Sequence, residues 1–325
     1  MVGMSVAFCW SIDLEDLDMS KVLVATEKPF AKVAVEGIRE IVESAGFTFA
    51  LLEGYKDKAD LLKAVADVDA LIVRSDKVTA EVIEAAKKLK IVVRAGAGYD
   101  NLDLEACTKR GIVAMNTPGQ NSNAVAELVL GLMVMIARNQ YNGKSGSELK
   151  GKTLGIQAYG HIGRIVARLG KAFGMEVYSC TRSEENRKAM AGDGVTLLPS
   201  AEELYSKCQY VSTHLPAKDN TKKSLNYALL SRMPKGATLI NSARKEIIDE
   251  DGLLKLMAER EDFRYVSDIQ PDKLEEFHKF GERVFFTPKK MGAQTAEANI
   301  NAGLAAANQI VKFLKEGDRT FQVNK

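Results

Sequence analysis

Ala158-Tyr159-Gly160-His161-Ile162-Gly163 stands between a short apolar run, Thr153–Gln157, and a helical pattern that opens at His161. Glycines at that spacing can do phosphate chemistry. Gly160 removes a side chain so that backbone can approach a pyrophosphate, and Gly163 lets the helix pack close to the strand. The helix N-terminus then offers unpaired N–H groups and a positive dipole end to the anion. Ala158 departs from the pattern, since a glycine usually makes this turn. An ordinary strand-to-helix turn would use similar residues, so the spacing gains weight only inside a βαβ unit.

About 20 positions beyond the first glycine position, an acid at the end of the next strand would bind the adenosine ribose of NAD. The strand Glu176-Val177-Tyr178 instead ends in Ser179-Cys180-Thr181-Arg182. Hydroxyls at Ser179 and Thr181 and the charged fork of Arg182 suit a 2′-phosphate, which favours NADP over NAD. The plainer alternative is that Arg182 merely leads an exposed helix, Ser183–Ala191. Two further stretches suit a small anion. Arg74-Ser75-Asp76-Lys77 follows Ile72-Val73, and Arg94-Ala95-Gly96-Ala97-Gly98-Tyr99-Asp100-Asn101 follows Val92-Val93. Guanidinium groups beside bare glycine backbone both bind oxyanions.

Positioning these residues requires alternating strands and helices. Lys21–Thr26, Phe47–Leu52, Ala70–Val73 and Ile91–Val93 read as strands. Phe30–Ser44, Lys58–Val68 and Thr79–Lys88 read as the helices between them. That alternation predicts βαβ crossovers and a parallel sheet with ligands at the carboxyl ends of its strands. Asn116–Gln120 reads as a loop, followed by a long helix over Asn123–Ala137 that is apolar on most sides. Such a helix is buried, at a domain or subunit interface. The central loop starts a second series through Tyr210–Ser212, Thr238–Asn241, Arg264–Ser267 and Val284–Phe286. Its first helix presents Ile162, Val166, Leu169 and Phe173 on one face. A small-residue helix over Ala296–Phe313 and a short strand, Phe321–Val323, close the chain. The middle thus reads as one domain inserted into another, and no internal repeat is visible.

With 325 residues and 46% apolar content, two ordinary domains with buried cores are expected. Lys+Arg 45 against Asp+Glu 43, with signs interspersed, gives no sign of a nucleic-acid or membrane-surface protein. Cys9, Cys107, Cys180 and Cys208 are scattered without a C-x-x-C pair, as in a reducing cytoplasm. No apolar run is long enough to span a bilayer. No metal is expected. Residues 1–20 fit neither a signal nor a transit peptide and are treated as an N-terminal extension.

Over about 21–325 the order of motifs resembles the D-2-hydroxyacid dehydrogenase family. The carriers are Ile72-Val73-Arg74-Ser75, Arg94 to Asn101, Asn116-Thr117-Pro118, Val125-Ala126-Glu127, the central loop, His214-Leu215-Pro216, Asn241-Ser242-Ala243-Arg244, Asp249-Glu250 and Gly292-Ala293-Gln294-Thr295. The branch most resembled interconverts 3-phosphoglycerate and 3-phosphohydroxypyruvate, the entry to serine synthesis, in a short form without a regulatory domain. The resemblance implies an α/β chain of two doubly wound parallel-sheet domains. A Rossmann NAD(P)-binding domain (119–297) would be inserted into a flavodoxin-like substrate-binding domain (21–118 plus 298–325). It implies that Arg244 grips the substrate carboxylate and carbonyl oxygen, while Arg74, Ser75 and Arg94 hold the phosphate beside the N–H groups of Ala97 and Gly98. Asp268 would meet the nicotinamide carboxamide, and His214, Pro216, Ala243 and Gly292 would line the cofactor groove.

The departures fall on the catalytic pair. The family's Glu, five residues after its Asp, is replaced by Lys273 in Asp268-Ile269-Gln270-Pro271-Asp272-Lys273. Its His after Thr-Pro is replaced by lysine in Thr287-Pro288-Lys289-Lys290-Met291-Gly292. Counting back from Gly292-Ala293-Gln294-Thr295 selects Lys290, whereas counting from Thr287-Pro288 would give Lys289. The two losses agree. A catalytic His needs a carboxylate to fix its tautomer, and a lysine has no tautomers. Lys290 would protonate the oxygen in reduction, and burial beside Arg244 would depress its pKa, so oxidation would accelerate at alkaline pH. His161 and His278 hold no family position. Two other readings stay open: an NADPH-linked glyoxylate or hydroxypyruvate reductase, and a nucleotide-sensing, corepressor-like binding protein. The long apolar helix implies a homodimer, with Arg138 at its end reaching the partner's site.

Overall fold

The computed structural model describes residues 19–181 and 183–324. The expectations for the first 18 residues and for Arg182 lie outside the described residues. The chain divides into two compact units, one running to Thr117 and resuming at Gly303, the other being Pro118–Ala302.

The first unit alternates β1 (Lys21–Thr26), α1 (Lys32–Ser44), β2 (Thr48–Glu53), α2 (Lys58–Ala64), β3 (Ala70–Val73), α3 (Ala80–Ala85), β4 (Ile91–Arg94), α4 (Leu104–Lys109) and β5 (Val113–Asn116). The strands pair in parallel in the order β2-β1-β3-β4-β5. Runs such as Ala70–Val73 and Ile91–Val93 are wholly buried, which is why they lack the alternation of a half-exposed strand. Asp57 and Asp103 cap α2 and α4, each accepting from a backbone N–H in the first turn. The strand order reverses between β1 and β3, so the loops after those strands flank a crevice position. Two expectations are corrected here. Residues 113–116, partly assigned to a loop, form β5. The expected strand Phe321–Val323 amounts to a single antiparallel bridge, Met115↔Gln322. Asn324 completes that closure, accepting from Ala114 N at 2.8 Å and donating to Ile112 O at 2.9 Å.

The second unit begins with α5 (Ser122–Ala137) and continues β6 (Thr153–Gln157), α6 (His161–Ala172), β7 (Glu176–Cys180), α7 (Glu184–Asp193), β8 (Thr196–Leu197), α8 (Ala201–Lys207) and β9 (Tyr210–Thr213). It goes on through α9 (Tyr227–Leu230), β10 (Thr238–Asn241), α10 (Glu250–Glu259), β11 (Arg264–Ser267), α11 (Leu274–His278) and β12 (Val284–Phe286). Helix α12 (Ala296–Glu316) begins here and runs on into the first unit. The parallel sheet has the order β12-β11-β10-β9-β6-β7-β8, with its reversal between β6 and β9. That is the doubly wound arrangement whose reversal point takes a dinucleotide. Helix α5 is not apolar all round: Asn123, Glu127 and Gly131 form an exposed stripe four residues apart, while Val129, Met133 and Ile136 are fully buried. Phe173 leaves the buried face expected for it and is 46% exposed, because it lies beyond the last turn of α6.

Candidate functional site

In the first unit the loops after β3 and β4 are bound to each other. Arg94 Nε donates to the Arg74 carbonyl at 2.9 Å. Asn101 Nδ2 donates to the Asp76 carbonyl at 2.7 Å, and Asn116 Nδ2 to the Ala97 carbonyl at 2.6 Å. Gly96 has φ +150°, and a Cβ there would strike the Arg94 guanidinium, so only glycine permits this placement. Arg74 Nη1 donates to the carbonyls of Lys28 and Pro29, both at 2.9 Å, and its guanidinium lies 5.0 Å from the centre of the Phe30 ring. Burial lowers the pKa of Arg74, against the pull of Asp76 and Glu53. Ser75 is exposed, and Ala97 and Gly98 are half-buried. The structure thus gathers Arg74, Ser75, Arg94, Ala97 and Gly98 on adjoining strand ends.

In the second unit β6 turns into α6 as the spacing predicts. Ala158 takes φ +75°, the left-handed conformation a glycine would hold at less cost. A Cβ on Gly163 would lie 2.5 Å from the Ala158 carbonyl and 3.0 Å from Ile156 Cγ2, so helix and strand meet at backbone distance. Gly160 is the N-cap of α6, and a Cβ there would meet nothing within 4 Å, which leaves the backbone approachable. His161 is exposed and Ile162 half-buried. Tyr159 is only 1% exposed, its hydroxyl donating to Asp193 at the end of α7 at 2.7 Å. Its side chain is therefore core, and only its backbone stays available to a cofactor.

Ser179 is a correction. It is fully buried and its hydroxyl donates to the Ile156 carbonyl of the neighbouring strand at 2.6 Å. Strand parity places it on the same buried face as Val177, with its hydroxyl committed to the sheet. Thr181 is half-buried and its hydroxyl accepts from Ser183 N at 3.1 Å.

The carboxyl ends of β9 to β12 bring the remaining residues together. Arg244 Nη1 and Lys290 Nζ both donate to the Ala243 carbonyl, at 2.9 and 3.1 Å. The Lys290 side chain is exposed overall, while the hydrogen bond of its ammonium to Ala243 is part-buried. Asp268 is fully buried; its Oδ2 accepts from Gly292 N at 2.6 Å, and its Oδ1 has no hydrogen-bond partner among the described residues. Desolvation raises the pKa of Asp268, and the Lys290 charge works against that rise. His214 Nε2 lies 3.1 Å from Ser212 Oγ, and burial pushes its pKa down to about 4, which keeps the ring neutral. Its Nδ1, like Thr213 Oγ1 and Ser242 Oγ, is buried and unpartnered among the described residues. Buried polar atoms without partners are costly unless a ligand completes them. Four on adjacent strand ends fit the amide and ribose of a nicotinamide dinucleotide. Pro216 is exposed, and its carbonyl accepts from Thr221 Oγ1 at 2.6 Å. Lys273, where the family has Glu, is engaged with Asp251 on α10. Lys289 is exposed, with its carbonyl held by Thr287 Oγ1 at 2.7 Å. No His, Cys, Asp and Glu group suited to a metal occurs among the described residues.

Asp76, Tyr55 and Asn116 had no role assigned from sequence. The one available signal was an acid two residues after Arg74, within the strand-end run.

The family model described as D-isomer specific 2-hydroxyacid dehydrogenase, catalytic domain, matches residues 24–324. Among solved structures, NAD+-bound 3-phosphoglycerate dehydrogenase of Entamoeba histolytica is 47% identical, with a TM-score of 0.84 over 94% of this chain and 99% of that one. D-3-phosphoglycerate dehydrogenase of Methanocaldococcus jannaschii is 35% identical over 91% of this chain but 58% of its own. The chain spans a little over half the length of that relative and of the rat enzyme, of which it covers 56%. Hydroxypyruvate reductase of Thermotoga maritima is 33% identical, over 79% of this chain and 89% of its own.

Proposed function

This chain belongs to the D-isomer specific 2-hydroxyacid dehydrogenase family, and from that premise we propose that it interconverts 3-phosphoglycerate and 3-phosphohydroxypyruvate with a nicotinamide dinucleotide, the first step of serine synthesis. The observation that carries this reading is the meeting of Arg244 and Lys290 on one carbonyl oxygen beside buried Asp268. The second unit is the cofactor-binding domain and the first the substrate-binding domain in this reading. The dinucleotide, when bound, supplies or accepts the hydride.

The other roles fall to the chain. Arg244 holds the substrate carboxylate and draws on the oxygen at which charge develops. Lys290, as an ammonium, gives that oxygen its proton in reduction; as an amine it takes the hydroxyl proton in oxidation. Reduction uses the ammonium and oxidation the amine, so in this reading oxidation gains towards alkaline pH. Asp268 Oδ1 and His214 Nδ1 accept the hydrogen bonds that orient the nicotinamide end. Arg74 and Arg94 take the phosphate. NADP is favoured over NAD because residues 179–181 include no carboxylate. A cytoplasmic homodimer completes the reading; no described helix is long and apolar enough to cross a membrane.

The test follows absorbance at 340 nm with phosphohydroxypyruvate, for wild type and Lys290→Met, with NADPH and NADH. Lys290→Met should lower kcat by about a hundredfold or more while dinucleotide binding stays unchanged. Undiminished turnover would refute the role of Lys290, and a preference for NADH would refute the NADP reading. A second reading, hydroxypyruvate reduction, is favoured by the near-full-length match to the Thermotoga protein. A kcat/KM for hydroxypyruvate exceeding that for its phosphorylated form would establish it.

A further inference from the structure

Asp76 is only 3% exposed, yet it belongs to none of the groups assigned to substrate or cofactor. Its Oδ1 accepts from Glu27 N at 2.6 Å and from the Tyr55 hydroxyl at 2.9 Å, and its Oδ2 accepts from Arg74 N at 3.2 Å. Three donors on one carboxylate come from the loop after β1, the chain following β2 and the loop after β3. Its own carbonyl is taken by Asn101 Nδ2, from the loop after β4. The same loops are joined by Arg74 to the Lys28 and Pro29 carbonyls and by Arg94 to the Arg74 carbonyl.

A carboxylate is a poor neighbour for a bound phosphate, since like charges repel. Burying one costs free energy unless hydrogen bonds satisfy it. Its presence beside two arginines at the sheet's reversal point therefore calls for a geometric explanation. Through Glu27 N and Arg74 N, Asp76 fixes the backbone from which Arg74 projects and the carbonyls that Arg74 grips. Through the Arg74 carbonyl, the same anchor sets the position of Arg94. Tyr55 supplies the third donor, and its phenol pKa is raised by burial and by Asp76.

We infer that Asp76, anchored by Tyr55, is a positioning residue that sets substrate preference by aiming Arg74 and Arg94 at the phosphate of a phosphorylated hydroxy acid. This rests on the phosphoglycerate reading and deepens it. The carboxylate itself touches no substrate. It makes the two guanidinium groups a pre-formed anion site instead of two mobile surface charges, and a displacement of ~1 Å in such groups is felt strongly.

The experiment compares phosphohydroxypyruvate with hydroxypyruvate as substrates for wild type, Asp76→Asn and Tyr55→Phe, with thermal melting of each protein as a control. Asp76→Asn should raise KM for the phosphorylated substrate about tenfold, and Tyr55→Phe a few fold, with kcat and the KM for hydroxypyruvate nearly unchanged. A merely structural role would move both substrates alike, through the fraction folded, and would overturn the inference. An unchanged or lower KM for the phosphorylated substrate in Asp76→Asn would also overturn it, since charge alone would then govern. If Asp76→Asn fails to fold, Tyr55→Phe decides by the same substrate split. A wild type indifferent to the phosphate would refute the phosphoglycerate reading itself, whereas a preference retained in both variants would refute only the role of Asp76.

Discussion

His214 makes the stability of the second unit depend on pH in a calculable way. Its pKa falls from 6.5 to about 4 on folding because the buried ring resists charging. The unfolded chain therefore binds more protons than the folded one between those values, and stability rises with pH across that window. The contribution is complete above pH 6.5 and is lost progressively as pH falls towards 4. The full shift corresponds to about 3 kcal/mol, of which about 2 kcal/mol is already lost at pH 5. Asp268 contributes with the opposite sign, since its raised pKa favours the fold at low pH. The informative quantity is therefore the difference between wild type and His214→Gln, each unfolded in urea at pH 7.5 and pH 5 and followed by circular dichroism. Wild type should lose about 2 kcal/mol more than the variant between the two pH values. Equal losses, within about 0.5 kcal/mol, would mean that the ring charges freely in the fold and would refute this reasoning.

Three further outcomes are expected. Gly96→Ala should raise KM for the phosphorylated substrate at least tenfold, because its Cβ displaces the Arg94 guanidinium; initial-rate kinetics with an unchanged value would refute that placement. Ala158→Gly should stabilise the protein by about 0.5–1 kcal/mol by relieving the left-handed alanine, with dinucleotide affinity unchanged, as read by urea denaturation with and without cofactor. Ser179→Ala should cost about 1 kcal/mol of stability and leave the NADPH:NADH preference untouched. A changed preference would mean that the hydroxyl reaches the ribose after all.

Several elements were legible to the residue. Lys21–Thr26, Ala70–Val73, Thr153–Gln157, Thr238–Asn241, Arg264–Ser267 and Val284–Phe286 are strands with those same bounds. Each is a compact run between turn residues, and all but Val284–Phe286 are largely buried on both faces, so such runs show themselves without any periodicity. Strand β5 is less visible because Asn116 and Pro118 read as a loop, and helix α4 because six residues carry too little helical pattern. Helix α8 and the two-residue β8 escaped for the same reason. Ser179 is a different case: its distance from the glycine loop suggests the ribose, whereas alternation from Val177 points its side chain into the sheet. Asp76 and Tyr55 were illegible because their partnership is tertiary, joining positions 21 residues apart on different loops. Lys290 was named by its spacing from Gly292, yet only the structure shows its ammonium and Arg244 on one carbonyl oxygen.

The return of the chain to β5 sets an order on synthesis. The second unit is continuous from Pro118 to Ala302, so a ribosome delivers it in one stretch. The first unit lacks its closing residues until Asn324 has been made, for Ala114 N and Ile112 O find their partner there. At roughly 5–20 residues per second, that interval is on the order of 10–40 s. During it, β5 holds one ladder partner, β4, and presents an unpaired edge. Strand edges of this kind invite pairing between chains. The residues that close the sheet are thus also the ones that end its exposure to neighbouring nascent chains.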